Sequence, residues 1–97
     1  MIVRIVKMTF REDAVADFLS NFEKHKTQIR AFEGCEKLEL LRDINNPNIF
    51  FTHSYWQQDS DLETYRHSEL FKGVWAFTKT LFADKPQAWS LTKEYSA

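Results

Sequence analysis

The chain has 97 residues, enough for one folding unit and too few for two independent cores, so it reads as a single domain over 1–97. At 43% apolar and 28% charged it is neither disordered nor membrane-spanning, and a net charge of −1 with scattered Lys and Arg leaves no footprint for nucleic acid or an anionic membrane. The apolar content is unusually aromatic: nine Phe, three Trp and three Tyr stand against two Gly and two Pro, more ring surface than one small core encloses, so some rings are expected at an interface or around a ligand.

The chain opens Met1-Ile2-Val3-Arg4-Ile5-Val6-Lys7, where charges interrupt any signal-peptide core. From Ile2 to Phe10 it alternates as a strand, with Ile2, Val6, Met8 and Phe10 on one side, interrupted by Arg4, and Val3 and Ile5 on the other. A helix follows, started either by a Thr9–Glu12 capping box or by Asp13 as its N-cap, and Val15, Phe18, Leu19, Phe22 and Ile29 form its core stripe. Gly34 is its expected C′ glycine.

Cys35–Ile44 and Ile49–Gln57 read as a hairpin around Asn45-Asn46-Pro47-Asn48. The second of these strands carries Phe50, Thr52, Ser54 and Trp56 on one face and Ile49, Phe51, His53 and Tyr55 on the other. Ser60 and Glu63 fit a second capping box, opening a helix through Tyr65 and His67 that either continues or breaks briefly into a helical stretch from Glu69 to Ala83. There Leu70, Val74, Phe77 and Leu81 form one apolar stripe and Phe71, Trp75 and Phe82 a second. Asp84-Lys85-Pro86 ends it, and Gln87–Tyr95 alternates as a last strand.

The order β-α-β-β-α-β predicts an α+β, ferredoxin-like fold, a four-stranded antiparallel sheet with helices on one face. Its other face carries apolar residues, so two copies are expected to pack their sheets together as a homodimer closing an α+β barrel. The single Cys35 makes no internal disulfide and predicts a reducing, cytoplasmic setting, while Gly34 and Gly73 satisfy no phosphate-loop spacing. The three histidines occupy separate elements without metal-ligand spacing, so no metal is expected.

The run Tyr55-Trp56, then Asp59-Ser60-Asp61-Leu62, then His67-Ser68-Glu69-Leu70-Phe71 resembles the antibiotic biosynthesis monooxygenase family across essentially the whole chain. Those are small dimeric α+β barrels that include quinol monooxygenases, cofactor-independent polyketide oxygenases and haem-degrading enzymes. The resemblance implies His67 and Trp56 as catalytic candidates at a helix–sheet cleft. Phe71, Trp75, Tyr65 and Phe50 are the candidate substrate-binding residues. A neutral histidine suits deprotonation of a phenol or quinol that then gives an electron to O2, with no cofactor; the alternative reading is that His67 serves only to bond a backbone carbonyl. Haem-degrading relatives bring an asparagine from the first strand, and this chain has none there, Arg4 being the only strong hydrogen-bonding group within the apolar set of that strand. An arginine among apolar strand positions is expected to pair with Glu39 or Asp43. The alternatives to a monooxygenase are a non-catalytic module binding a small aromatic ligand and a haem-binding relative.

Overall fold

The computed structural model describes all 97 residues. Its elements are β1 (Ile2–Thr9), α1 (Val15–Arg30), β2 (Cys35–Arg42), β3 (Ile49–Trp56), α2 (Asp59–Arg66), α3 (Glu69–Lys79) and β4 (Gln87–Thr92), with a 3-10 turn at Glu12–Ala14 before α1. The four strands make one antiparallel sheet in the order β2-β3-β1-β4, the expected ferredoxin-like arrangement. The central pair, β1 and β3, sets Ile2 against Trp56, Arg4 against Ser54, Val6 against Thr52 and Met8 against Phe50. Directly opposed residues share a face, so these eight look toward the helices. Leu38 and Leu40 of β2 and Ala88 and Ser90 of β4 extend the same face.

Two apolar clusters hold helices to sheet. The larger gathers Met8, Phe10, Val15, Phe18, Phe50 and Leu81, with Phe10 and Phe18 stacked at 4.1 Å and Phe18 tilted against Phe50 at 5.3 Å. The smaller joins Cys35, Trp56 and Leu62 under Phe32 and Tyr65 at the opposite end of β3. Between them the helical layer does not close, and that gap is the cavity described below.

Local signals place the elements correctly and several of their ends differently. Ala14 rather than a Thr9 box or Asp13 precedes α1, and no side chain caps it; likewise Gln58 precedes α2 without a cap bond, because Ser60 lies inside the first turn. The cap that forms is Ser68, whose Oγ accepts from the Phe71 N–H at 3.1 Å, so the chain breaks at His67–Ser68 and restarts as α3. Leu19, expected in the core stripe of α1, stays 36% exposed at its edge. Gly34 does adopt a left-handed φ of 85°, but four residues beyond the end of α1, in the turn that feeds β2. A Cβ there would run into the Asp61 side chain, so the glycine also lets α2 lie against this turn. β4 ends at Thr92, short of Tyr95.

The face turned away from the helices carries Val3, Ile5, Phe51, Tyr55, Trp89 and Leu91, as the alternation implies, mixed with Lys37, Glu39 and His53. His53 Nδ1 lies 3.6 Å from Glu39 Oε1, whose other neighbour is Lys37 at 3.7 Å. That arrangement removes Glu39 as a partner for Arg4, which lies on the opposite face and two strands away. Asp43 is also occupied: its Oδ1 accepts from the Asn45 and Asn46 N–H groups at 2.7 and 2.9 Å, which hold its carboxyl below the usual range and fix the hairpin turn.

Candidate functional site

The gap between sheet and helices is a cavity of about 330 Å³, at the small end of ligand-site volumes and suited to one compact ring system. The sheet supplies its floor through Arg4, Val6, Thr52, Ser54 and Trp56. Tyr65 and Arg66 of α2 and Phe71, Val74 and Trp75 of α3 form a wall, and Phe22 and Ile29 of α1 complete it. Four rings follow one another around it: Trp56 stacks on Tyr65 at 5.1 Å, Tyr65 meets Phe71 edge-on at 5.2 Å, and Phe71 stacks with Trp75 at 5.9 Å. These spacings are those of favourable aromatic pairs, so the wall is braced by its own contacts.

Trp56 is only 1% exposed, and its Nε1–H donates to Ser54 Oγ at 3.0 Å, which fixes the indole with no orphaned polar atom. Desolvation pushes the Tyr65 phenol well above its ordinary value, so Tyr65 is a neutral O–H donor throughout the neutral range. Arg4 is half-buried, and its Nη1–H donates to Ser90 Oγ at 2.9 Å. Burial first, and then neighbouring Arg66, lower its pKa from the arginine value, yet a guanidinium stays charged. Arg66 is paired with Glu63 at 2.8 Å. No carboxylate and no imidazole lines the cavity.

The candidates named from sequence therefore separate. Trp56, Tyr65, Phe71 and Trp75 come together as one wall. Phe50 does not join them: it sits six residues along β3, about 20 Å from Trp56 at the rise of an extended strand, and is buried in the core under Phe10 and Phe18. His67 does not either. It follows Tyr65 by two residues, about 200° around a helix, so as Tyr65 turns inward His67 turns out. Its side chain is 77% exposed, and its Nδ1 lies 2.8 Å from the Glu63 carbonyl oxygen, the carbonyl-bonding alternative. Haem does not fit this geometry, since the helix histidine is on the solvent side and no other histidine borders the cavity. No three His, Cys, Asp or Glu side chains converge anywhere in the fold. Cys35 is buried against the Lys37 carbonyl, and burial raises its thiol pKa, so it is a poor nucleophile at neutral pH.

Three polar residues of the cavity floor escaped the sequence reading in this role. Arg4 showed as an oddity among apolar strand positions, and that oddity was the available signal; Thr52 and Ser54 gave none. A second, more open groove beside α1 and β2 shares Phe22 and Leu38 with the cavity. Its cations are engaged, Lys26 by Glu23 at 2.7 Å and Arg30 by the Cys35 carbonyl at 2.7 Å, so it offers no free charged anchor.

No helix is long and apolar enough to cross a membrane. No curated protein matches the chain. Among solved structures it superposes on Rv0793 from Mycobacterium tuberculosis with a TM-score of 0.91 over 99% of this chain and 97% of that one, at 18% identity. A conserved protein from Methanosarcina mazei Go1 gives 0.90 over 97% and 94%, also at 18% identity, and an antibiotic biosynthesis monooxygenase gives 0.90 over 96% and 98% at 15%. At such identities the likeness establishes the fold. The family model for antibiotic biosynthesis monooxygenase matches residues 1–75, which span every element through most of α3. The chain belongs to the antibiotic biosynthesis monooxygenase family.

Proposed function

We propose that the protein is a cofactor-independent monooxygenase that oxidises a small phenol or quinol in the cavity between the sheet and α2 and α3. The observation that carries this reading is the convergence of Trp56, Tyr65, Phe71 and Trp75 with the Arg4 guanidinium around one 330 Å³ space. Flat apolar walls sandwich an aromatic ring, and the cation and the Tyr65 O–H give its oxygens a fixed end. The chemistry balances on the substrate alone. An ionised quinol gives one electron to O2, the two radicals combine at a ring carbon, and loss of water leaves a hydroxyquinone, so one oxygen atom enters the ring and the other departs as water. Exclusion of bulk water by the ring wall protects the intermediates.

Membership of the family and the monooxygenase name of one fold relative support this reading. In it the wall residues Trp56, Tyr65, Phe71 and Trp75 bind the substrate, His67 stands outside the reacting volume, and the working unit is a homodimer joined through the sheet faces. The buried free thiol of Cys35 is consistent with a reducing, cytoplasmic location. Oxygen uptake with a panel of quinols tests the activity. Wild type and His67→Ala are expected to consume oxygen alike, and Trp75→Ala to lose roughly tenfold or more in kcat/KM through a loosened wall. Uptake no faster than buffer for wild type across the panel would sink the reading.

One feature favours a second reading, a binding module: the cavity holds no side chain able to accept a proton near neutral pH. Thermal stabilisation by aromatic ligands without oxygen uptake would decide for it.

A further inference from the structure

Arg4 is the one charged group on the sheet floor of the cavity, and its situation is unusual on every count. Its neighbours along the helix-facing side of β1 are Ile2, Val6 and Met8, and the rings of Trp56 and Tyr65 stand over the same space. A guanidinium has five N–H donors. The only acceptor Arg4 reaches is Ser90 Oγ, and it makes no ion pair. The carboxylates whose charge it feels, Glu63 and Asp59 of α2, do not line the cavity, and Glu63 is engaged by Arg66. β3 and β4 present only uncharged polar groups on this side, the hydroxyls of Thr52, Ser54 and Ser90 and the Gln87 amide; α2 adds the Arg66 guanidinium, already paired with Glu63, and α3 presents no charged group to the cavity. A cation held among apolar surfaces without a counterion is the arrangement that binding an anion completes.

We propose that the cavity is a site for aryl oxyanions, with the ionised oxygen of a phenol or quinol seated on the Arg4 guanidinium and its ring between the aromatic walls. This deepens the proposed function and rests on the same cavity. It also answers the missing proton acceptor. A protein without a base in its site can still hold an ionised substrate, because a nearby cation favours the charged form and the proton leaves to solvent before binding or through the mouth of the cavity. Tyr65, kept neutral, adds an O–H donor to the same oxygen or to a second one on the ring. Arg4 is then a specificity residue: it selects ligands by an in-plane oxyanion, and neutral aromatics of equal size lose that contact.

The test uses 4-nitrophenol, whose ionised form absorbs in the visible, as a spectroscopic ligand that reports protonation without turnover. Wild type is expected to bind it and lower its apparent pKa by about one unit or more, the effect of an opposite charge within contact distance. Arg4→Gln is expected to abolish the shift and to weaken binding of the phenolate about tenfold or more, with little change for neutral nitrobenzene. Arg4→Lys, which keeps the charge, is expected to retain part of the shift, and circular dichroism shows that both variants fold. Equal pKa values on wild type and Arg4→Gln, or no binding of 4-nitrophenolate to wild type at millimolar concentration, overturns the proposal. The two readings fail separately: a shift without oxygen uptake removes the monooxygenase and leaves the oxyanion site, whereas quinol oxidation without a shift removes the role of Arg4 alone.

Discussion

Single side chains decide the character of the cavity, and Tyr65 shows how. Its ring is packed between Trp56, Phe32 and Phe71, and burial disfavours the phenolate, so its pKa lies well above the ordinary value near 10. The linkage has a definite sign: above about pH 10 an unfolded tyrosine gives up its proton and the folded one does not, so the native state binds more protons there. The contribution is fully present below the unfolded pKa and is lost as pH rises from there through the folded value. One of the three tyrosines is therefore expected to ionise late in an alkaline absorbance titration, and Tm of the wild type to fall more steeply above about pH 10 than that of Tyr65→Phe. Parallel Tm curves, or a late phase that persists in Tyr65→Phe, would count against this environment. At this scale the sequence was only partly legible. Trp56, Phe71 and Trp75 were named through the family resemblance, and strand and helix period agree with it, because period fixes which way a residue points from a strand or helix. His67 was misplaced because two residues on a helix reverse direction, and Phe50 because sharing a strand face with Trp56 says nothing about the distance along it.

The elements themselves were legible from alternation and helical stripes, because burying one face of each is what makes them fold. Their ends were not, since several Ser, Thr and Asp positions compete for each cap and only tertiary packing selects among them. Ser68 is the instructive case. Its Oγ accepts from the Phe71 N–H and donates to the Tyr65 carbonyl at 2.6 Å, so one hydroxyl both starts α3 and ties it to the end of α2. Two of the four wall rings, Phe71 and Trp75, ride on the helix that this cap aligns. Ser68→Ala is expected to cost about 1 kcal/mol of stability by removing the cap. It should also loosen binding of aromatic ligands more than an exposed control such as Thr64→Ala, whose hydroxyl bonds only within α2. Chemical denaturation and ligand titration of both variants check this, and equal binding in the two would separate the cap from the wall.

For the whole molecule, the aromatic excess has two destinations. One is the core and cavity, where Phe10, Phe18, Trp56 and Tyr65 are packed. The other is the outer sheet face, where Trp89 and Leu91 remain 43% and 46% exposed on the edge strand β4, and Leu41 47% exposed on the other edge, β2. Such a face, apolar across its width with Lys37, Glu39 and His53 interspersed, resembles an interface with polar groups more than a solvated surface. A second copy of the same face is the economical cover, because a two-fold axis sets the patch against itself. An interface of standard size buries about 800 Å² on each partner, enough for association at micromolar concentration or below. The protein is accordingly expected to scatter light at micromolar concentration with twice the 11.6 kDa mass of the chain. Trp89→Glu places a charge where the single chain is already open, so the fold is expected to survive while dimerisation weakens by about 2 kcal/mol or more, the loss typical of an interface tryptophan. A monomeric mass for wild type, or an undisturbed dimer in Trp89→Glu, would mean that this face is not where two copies meet.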